Sequence, residues 1–249
     1  MGVLHVSHAA AQCDSGHSFD RAREGYLNLT VAGRLSTTAV SGDTAEALLA
    51  RRTFLSADWY APIAHALTDA LGEVDGPVLD IGCGEGYYLS HVMSSEKFGI
   101  DISKKAVQMT SKLLPDAQCA VASAFRLPVL TDSCAAVFTV FAPHSFDEYN
   151  RVLRPGGKWV TISPGPDHLM QMRPEYDADT KADERFERRS EPPAEATTAQ
   201  RVQFSLDLTD DAAEALFSMT PLRWQTAAAA TPVQHVTVDV WVSEGFASR

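Results

Sequence analysis

The stretch LDIGCGEGYY at residues 79–88 decides the fold of this chain. An apolar strand candidate runs directly into three glycines, Gly82, Gly84 and Gly86. Glycine is needed where a turn leaving a strand takes unusual backbone angles, and where a ligand must approach the main chain without a Cβ in the way. A tight structural turn alone rarely needs three glycines so close together. We therefore predict a ligand-binding loop at the carboxyl end of a strand.

The spacing of these glycines favours S-adenosylmethionine over a dinucleotide. A dinucleotide loop would have its third glycine three positions after the second, where this chain has Tyr87. About 20 residues downstream, Asp101 ends the next strand candidate, where a carboxylate can accept hydrogen bonds from both hydroxyls of a ribose. Asp80 can orient the loop or meet the amino group of the donor. Ser123 and Ala124 follow the third strand candidate and are expected to border the adenine.

Beyond Gly76, short apolar runs alternate with helical segments, which is the rhythm of parallel strands joined by crossover helices. The segment VLRPGG, directly before the fifth run, is predicted to be a turn, because proline and paired glycines end a helix. The alternating segment 235–242 predicts an antiparallel strand added to the sheet. The fold class is therefore α/β, a Rossmann-like class I S-adenosylmethionine-dependent methyltransferase fold with a mostly parallel sheet and an antiparallel C-terminal strand. The five candidates for parallel strands are residues 78–82, 98–101, 117–123, 135–142 and 158–163.

The length of 249 residues, 45% of them apolar, is enough for one main domain with a small appendage. Residues 1–40 are predicted to form a small irregular N-terminal unit, and residues 41–249 the main domain. A helical lead-in over residues 42–72 is predicted from Asp43 as N-cap with Glu46 in a capping box. Residues from about 172 to 202, which are rich in charged residues, proline and alanine, are interpreted as an insertion or lid.

The composition limits the partners of this chain. A net charge of −11, from 21 basic and 32 acidic residues, argues against sequence-independent binding to polyphosphate, although a local basic face could still dock RNA. No run approaches the roughly 20 apolar residues that span a bilayer, and no secretory signal begins the chain. We therefore expect a cytoplasmic protein that does not enter a membrane. A homodimer is left open.

Four longer segments make the sequence more specific than a generic methyltransferase. They are HSFDRAREGYLNL (17–29), GDTAEALLARRTFL (42–55), FGIDISK (98–104) and RVLRPGGKWVTISPGPDHLM (151–170). Together with the glycine loop, they resemble the bacterial 23S ribosomal RNA guanine-N1-methyltransferases, a group that includes enzymes conferring macrolide resistance. The resemblance runs from Cys13 to about Trp224. It implies methyl transfer from S-adenosylmethionine to N1 of a guanine in 23S rRNA, with donor contacts from Tyr60, Gly84, Glu85 and His168.

The same family carries an N-terminal zinc unit, in which a Cys-x-x-Cys pair is followed about a dozen residues later by Cys-x-x-x-His. Cys13 and His17 match the second half, whereas the first pair would fall at or before Met1. His5 and His8 have the right mutual spacing, but they stand too close to Cys13 for the family's ribbon. A structural zinc needs four ligands, so we expect that these residues alone do not bind it. Either the chain begins further upstream, or this member has lost the finger.

The loop Phe141-Ala142-Pro143 follows the fourth strand candidate, where the acceptor base should lie. Its main-chain carbonyls are candidates for orienting the base, and His144 is a candidate acceptor for the proton on guanine N1. The absent cysteine pair and the acidic balance leave a second function open, a small-molecule N- or O-methyltransferase acting on a natural product. A third alternative is a regulatory protein that binds the donor without catalysis.

Overall fold

An eight-stranded sheet forms the centre of the computed structural model, which describes residues 4–7, 10–14, 16–30, 44–173, 191–220 and 233–248. A separate three-stranded sheet lies in the N-terminal segment. The strands are β1 Leu4–Val6, β2 Ala10–Cys13, β3 Ser18–Asp20, β4 Leu27–Asn28, β5 Val78–Ile81, β6 Lys97–Asp101, β7 Gln118–Val121, β8 Cys134–Val140, β9 Leu153–Pro164, β10 Thr198–Asp207 and β11 His235–Phe246.

The order of the large sheet is β10-β11-β9-β8-β5-β6-β7-β4. The strands from β9 to β4 pair in parallel, whereas β11 is antiparallel to both of its neighbours, β9 and β10. β10 therefore runs in the direction of the parallel strands. Every residue of β5 and β8 is buried, as expected for central strands covered on both faces. The predicted α/β class and the antiparallel C-terminal strand are confirmed.

Helices cover the two faces of this sheet. Alternate residues of a strand point to opposite faces, and the core divides accordingly. Val78 and Phe138 pack with the apolar residues of the first, second and last helices, whereas Leu79 and Val137 pack with Tyr149 and Trp159. The helices are α1 Ala45–Ser56, α2 Ala61–Leu71, α3 Tyr87–His91, α4 Lys104–Leu113, α5 Phe146–Val152 and α6 Asp210–Met219, and a 3-10 turn spans Met170–Met172. In the described part of the chain, no helix has both the length and the apolar character needed to cross a bilayer.

The start of α1 differs by one residue from the capping pattern. The N-cap is Thr44, whose hydroxyl accepts a hydrogen bond from Ala47 N at 3.2 Å. Thr44 is as suitable a cap as Asp43 because both side chains offer an oxygen to the first turn. Glu46 consequently falls one position short of the place that a capping box requires. Asp43 itself lies outside the described residues.

β10 begins inside the segment 172–202 that the sequence predicts to be an insertion or lid. Its apolar residues Val202, Phe204 and Leu206 alternate with polar ones, and the burial pattern alternates with them. Such a pattern fits an edge strand with one half-buried face. The end of the predicted insertion therefore belongs to the sheet, and residues 174–190 lie outside the described residues.

The N-terminal segment is more regular than the sequence indicates. β1, β2 and β3 form an antiparallel meander. β4 then pairs with β7 in the large sheet, where Leu27 is opposite Ala120. Tyr26, beside β4, is buried against Val107 and Val121. Part of the segment 1–40 is thus joined by hydrogen bonds to the main domain.

Candidate active site

The glycine loop after β5 adopts a left-handed backbone at three positions. The φ angles are 84° at Gly82, 55° at Gly84 and 94° at Gly86. Gly82 N and Cys83 N both donate to Ile100 O, at 2.7 and 3.0 Å, which ties the loop to the end of β6. A Cβ on Gly82 would stand 2.4 Å from the Cβ of Ala142, so the loop also touches the segment after β8. Only glycine fits this approach.

Asp101 holds the glycine loop with its carboxylate. Oδ2 accepts from Gly84 N at 3.0 Å, and Oδ1 accepts from Ser103 N at 2.8 Å. A carboxylate can accept about four hydrogen bonds, so this role is compatible with accepting from the hydroxyls of a ribose. The glycine loop and Asp101, which the sequence spacing predicts to act together, are therefore joined by a direct hydrogen bond.

Asp80 is a buried carboxyl beside two other acids. Burial raises the pKa of Asp80 well above its ordinary value, and the charges of Asp101 and Glu85 add to the shift. Asp80 is only 2% exposed, and the two charges that act on it, those of Asp101 and Glu85, are both negative. A buried charge without a partner is costly, so this carboxyl is suited to a cationic ligand. S-adenosylmethionine carries both an ammonium and a sulfonium, so the donor set fits it.

Three aromatic rings from separate elements converge near the glycine loop. Tyr60 precedes α2, Phe141 follows β8 with a φ of 54°, and His168 lies beyond β9. The ring centroids of Tyr60 and Phe141 are 6.4 Å apart, and those of Phe141 and His168 are 5.4 Å apart. The buried Tyr60 hydroxyl has no hydrogen-bond partner within the described residues, and burial raises its pKa. A polar atom in that position is available to a ligand.

His168 is held in one tautomer. Its Nδ1 accepts a hydrogen bond from Asp239 N at 3.3 Å, so the proton of the neutral ring lies on Nε2. Burial, with the charge of Arg173, lowers the pKa of His168 to about 4. The ring is therefore neutral at physiological pH and presents an N–H donor.

His144 has the opposite arrangement. Its Nδ1 lies 3.3 Å from Ala142 O, and because a carbonyl can only accept, the proton lies on Nδ1. The ring stacks on Tyr149 at 5.4 Å and meets Phe146 edge-on at 5.0 Å. Burial lowers the pKa of His144, which keeps Nε2 unprotonated. This nitrogen can accept a proton.

The predicted donor and acceptor residues meet at the carboxyl edge of the sheet. Ser123 and Ala124 follow β7 and are half-buried, and Ala122 N donates to Asp101 O at 3.0 Å. The strand order reverses beside β5, and open α/β sheets bind ligands at the carboxyl ends of the strands at such a point. Pro143 is exposed in the same loop as Phe141.

Contacts that the sequence pattern did not indicate also shape the loop. Thr110 Oγ1 donates to Gly84 O at 2.8 Å, and Thr139 Oγ1 donates to Ile81 O at 2.5 Å. The guanidinium of Arg51 stands 3.6 Å from the place of a Cβ on Gly84. These contacts join residues that are far apart in the chain, so no local signal could reveal them.

Cys13 and His17 form half of a possible metal site. Their Sγ and Nδ1 atoms are 3.3 Å apart at the turn between β2 and β3. His5 instead pairs with Asp14 at 3.0 Å. Within the described residues, no group of three or more potential ligands is gathered, whereas structural zinc needs four. The residues described here do not make a complete zinc site.

A mostly parallel sheet of this order, with a glycine loop and an aspartate at the ends of adjacent strands, is the fold of a class I S-adenosylmethionine-dependent methyltransferase. The family profile "Methyltransferase domain" matches residues 79–161, and the profile "RlmA, N-terminal", a zinc-ribbon family, matches residues 2–32. The 23S rRNA (guanine(748)-N(1))-methyltransferase of Streptomyces fradiae is 32% identical, over 89% of this chain and 82% of its own length. The chain belongs to the bacterial 23S rRNA (guanine-N1)-methyltransferase family and is a methyltransferase enzyme, as the resemblance predicts.

Two further comparisons agree with this assignment. A protein of Micromonospora griseorubida is 33% identical over 90% of this chain and 84% of its own length, and it bears a 23S rRNA (guanine-N(1)-)-methyltransferase name as a provisional assignment. A methyltransferase solved in complex with a methyltransferase activator from Haloferax volcanii matches in structure with a TM-score of 0.50 and 22% identity. That match covers 80% of this chain and 94% of the other. The structural likeness supports the fold alone.

Proposed function

We propose that this chain transfers the methyl group of S-adenosylmethionine to N1 of a guanine in 23S rRNA. The observation that carries the proposal is the glycine loop tied to Asp101 beside the buried Asp80 carboxyl, whose pKa is raised. The relative from Streptomyces fradiae supports the acceptor. A small-molecule acceptor is not favoured, because the match to an rRNA methyltransferase family extends through residues 2–32. An rRNA acceptor would make the site of action cytoplasmic.

The donor is proposed to lie across the carboxyl ends of β5, β6 and β7. The Asp80 carboxyl meets the cationic amino group, and Asp101 accepts from the ribose. The Tyr60 hydroxyl and the Nε2–H of His168 donate to oxygen atoms of the ligand. The full set of proposed donor-binding residues is Tyr60, Asp80, Gly82, Gly84, Glu85, Gly86, Asp101, Ser123, Ala124 and His168.

The chemistry needs positioning more than strong catalytic groups. The donor supplies a methyl group on a positively charged sulfonium. When bound, the donor would supply that carbon to guanine N1, with the electrons of the broken carbon–sulfur bond left on sulfur, and Nε2 of His144 would accept the N1 proton. The loop of residues 141–143 orients the base toward the methyl group. A base inside folded RNA must first leave its stack, which costs a few kcal/mol.

The acceptor is tested with 23S rRNA and large ribosomal particles from a bacterium that lacks the modification. The protein is incubated with methyl-labelled donor, and the rRNA is then analysed by primer extension. We expect label in the rRNA and one strong stop, because a methyl group on N1 blocks base pairing. Absence of label in both forms of rRNA, with protein that binds the demethylated donor product, would overturn the rRNA acceptor.

His144→Gln is expected to reduce kcat by ~100-fold or more, because general-base catalysis contributes that much. Donor affinity is expected to remain unchanged. The lowered pKa of His144 means that the wild-type rate falls only below the ordinary pKa of histidine, where Nε2 becomes protonated. The pH profile of the single-turnover rate constant, measured with saturating substrate, checks this effect. His65→Gln, at an exposed position of α2, is the matched control, and equal rates for both variants would exclude His144 as the base.

Cys13 and His17 are proposed to supply only two of the four ligands of a structural zinc, and the printed sequence offers no Cys-x-x-Cys pair to supply the other two. Protein of the printed sequence, purified without chelators, is therefore expected to hold well under one zinc per chain. Elemental analysis with Cys13→Ser as the comparison measures this directly. Stoichiometric zinc that is lost in Cys13→Ser would contradict the expectation.

A further inference from the structure

The loop between β9 and the 3-10 turn wraps around a single carboxylate, that of Asp239 in β11. Gly165 N donates to the main-chain oxygen of Asp239 at 2.7 Å, and Asp167 N donates to the carboxylate oxygen Oδ2 of Asp239 at 2.8 Å. Further along the same loop, Leu169 N donates to Thr237 O at 2.8 Å. The loop therefore continues the hydrogen bonding between β9 and β11 beyond the end of β9.

Arg201 in β10 fixes the Asp239 carboxylate from the other side. Its Nε donates to Oδ1 at 2.7 Å and its Nη2 to Oδ2 at 2.8 Å, which is a two-pronged contact. The same Nη2 lies 2.6 Å from Asp167 Oδ2. The Asp239 side chain is fully buried, and although burial alone would raise its pKa, the hydrogen bond from Arg201 lowers it. The carboxylate is therefore charged and fixed in orientation.

The fit between this loop and Asp239 leaves no spare room. A Cβ on Gly165 would lie between 2.4 and 2.6 Å from the carboxylate atoms of Asp239, so the loop rests directly on them. Leu169, at the end of the loop, takes a left-handed backbone with a φ of 52°. The path of the loop is thus determined by the carboxylate it encloses.

His168 lies in this loop, and its orientation follows from the same residue. The main-chain N–H of Asp239 donates to Nδ1 of His168, which leaves the proton on Nε2. The ring then faces Phe141 with 5.4 Å between centroids and an interplanar angle of 32°. Arg173 donates to His168 O at 2.5 Å and holds the loop from its far end.

We propose that Asp239 and Arg201 are positioning residues for the donor site. They fix the loop of residues 165–169 so that His168 presents Nε2–H, as a hydrogen-bond donor rather than a base, to an oxygen of the bound donor. This inference rests on the proposed function, because it assigns the ligand of His168. No substrate contact is assigned to Asp239 or Arg201 themselves.

The test compares Arg201→Gln and Asp239→Asn with a second ion pair that also involves β11. Lys158 in the middle of β9 pairs with Glu244 near the end of β11, away from the loop of residues 165–169, so Glu244→Gln is the control. Arg201 is part-exposed, which makes Arg201→Gln the variant that should fold if Asp239→Asn does not. The tautomer of His168 is measured by NMR of protein labelled with nitrogen-15 in histidine, with His168→Gln to assign the signal.

In the wild type, we expect an unprotonated Nδ1 and a protonated Nε2 that does not titrate near neutral pH. In Arg201→Gln and Asp239→Asn, we expect mixed tautomers and a His168 pKa nearer the ordinary value. The Kd of the demethylated donor product and the KM of the donor should rise ~10–100-fold, because misplacement by about 1 Å has effects of that size, while kcat changes less. Glu244→Gln should leave the tautomer and pKa of His168, the Kd of the demethylated donor product and the KM of the donor unchanged.

The outcomes separate this inference from the proposed function. Unchanged His168 signals and unchanged Kd in both variants would overturn the inference, whatever the acceptor is. A wild type that binds no donor product would instead overturn the proposed donor site, whereas the tautomer is measured in the protein alone. A fall in kcat at constant KM would assign the pair to the chemical step and contradict a role in donor binding.

Discussion

Gly82→Ala is expected to eliminate measurable donor binding and to destabilise the protein. The new methyl group would stand 2.4 Å from the Cβ of Ala142. The φ of residue 82 is 84°, which residues other than glycine rarely adopt. The loop must then move away from β8, and a displacement of about 1 Å at such a site reduces function by ~100-fold. The strained backbone and the overpacking together should lower the free energy of unfolding by ~2–5 kcal/mol. Isothermal calorimetry with the demethylated donor product and urea unfolding measure the two effects.

Gly72→Ala is the matched control for this substitution. Gly72 also has a positive φ, 65°, with a ψ of −159°, but a Cβ there would meet no atom within 4 Å. Only the backbone penalty of ~1–3 kcal/mol should appear, with donor affinity intact. If both variants bind the donor product equally well, close packing of the glycine loop on Ala142 is not what forms the site.

Asp80→Asn is expected to weaken donor binding strongly and, at neutral pH, to stabilise the protein without donor. The raised pKa of Asp80 means that the folded state holds its proton more tightly than the unfolded state. Stability of the wild type therefore falls as pH rises from the ordinary carboxyl pKa to the raised one, and the loss is complete above it. Each unit of that difference corresponds to ~1.4 kcal/mol. The amide avoids this loss but offers no negative charge to the ammonium of the donor.

Thermal unfolding of the wild type and Asp80→Asn between acid and neutral pH checks the prediction. The stability difference should be small at acid pH and should grow as pH rises. Asp116→Asn, which removes an acid from an exposed position, is the control for the change in net charge. A variant that is less stable than the wild type at every pH would mean that Asp80 is paired in the folded protein, and the electrostatic argument for a cationic ligand would fail.

The strand pattern of the main sheet is predictable because its central strands are buried on both faces. β5 and β8 therefore appear as short, continuous apolar runs. Gly82 directly follows β5, and Asp101 is the last residue of β6. β10 is harder to predict, because an edge strand needs only one apolar face. Its polar residues, Arg201 among them, make it resemble the charged segment that precedes it.

The site is less predictable than the sheet, because its contacts join distant residues. Spacing indicates Asp101 as a ribose ligand, but no spacing rule indicates that it also holds Gly84 N. His168 is a candidate only through the family resemblance, since an isolated histidine after a turn is more often structural. Its dependence on Asp239 crosses 71 positions of the chain and is visible only in the fold.

The pairing of β4 with β7 limits how far the N-terminal segment can move relative to the glycine loop when a large substrate binds. Leu29 N also donates to Val121 O in β7 at 3.0 Å, and Gln108 in α4 donates to Glu24 at 2.9 Å, so residues 24–29 are attached to both the large sheet and a helix that covers it. An RNA segment bound by the N-terminal part of the chain would therefore be kept at a fixed distance from the glycine loop. Selection of one guanine among many could then depend on the geometry of the folded RNA as well as on the base itself.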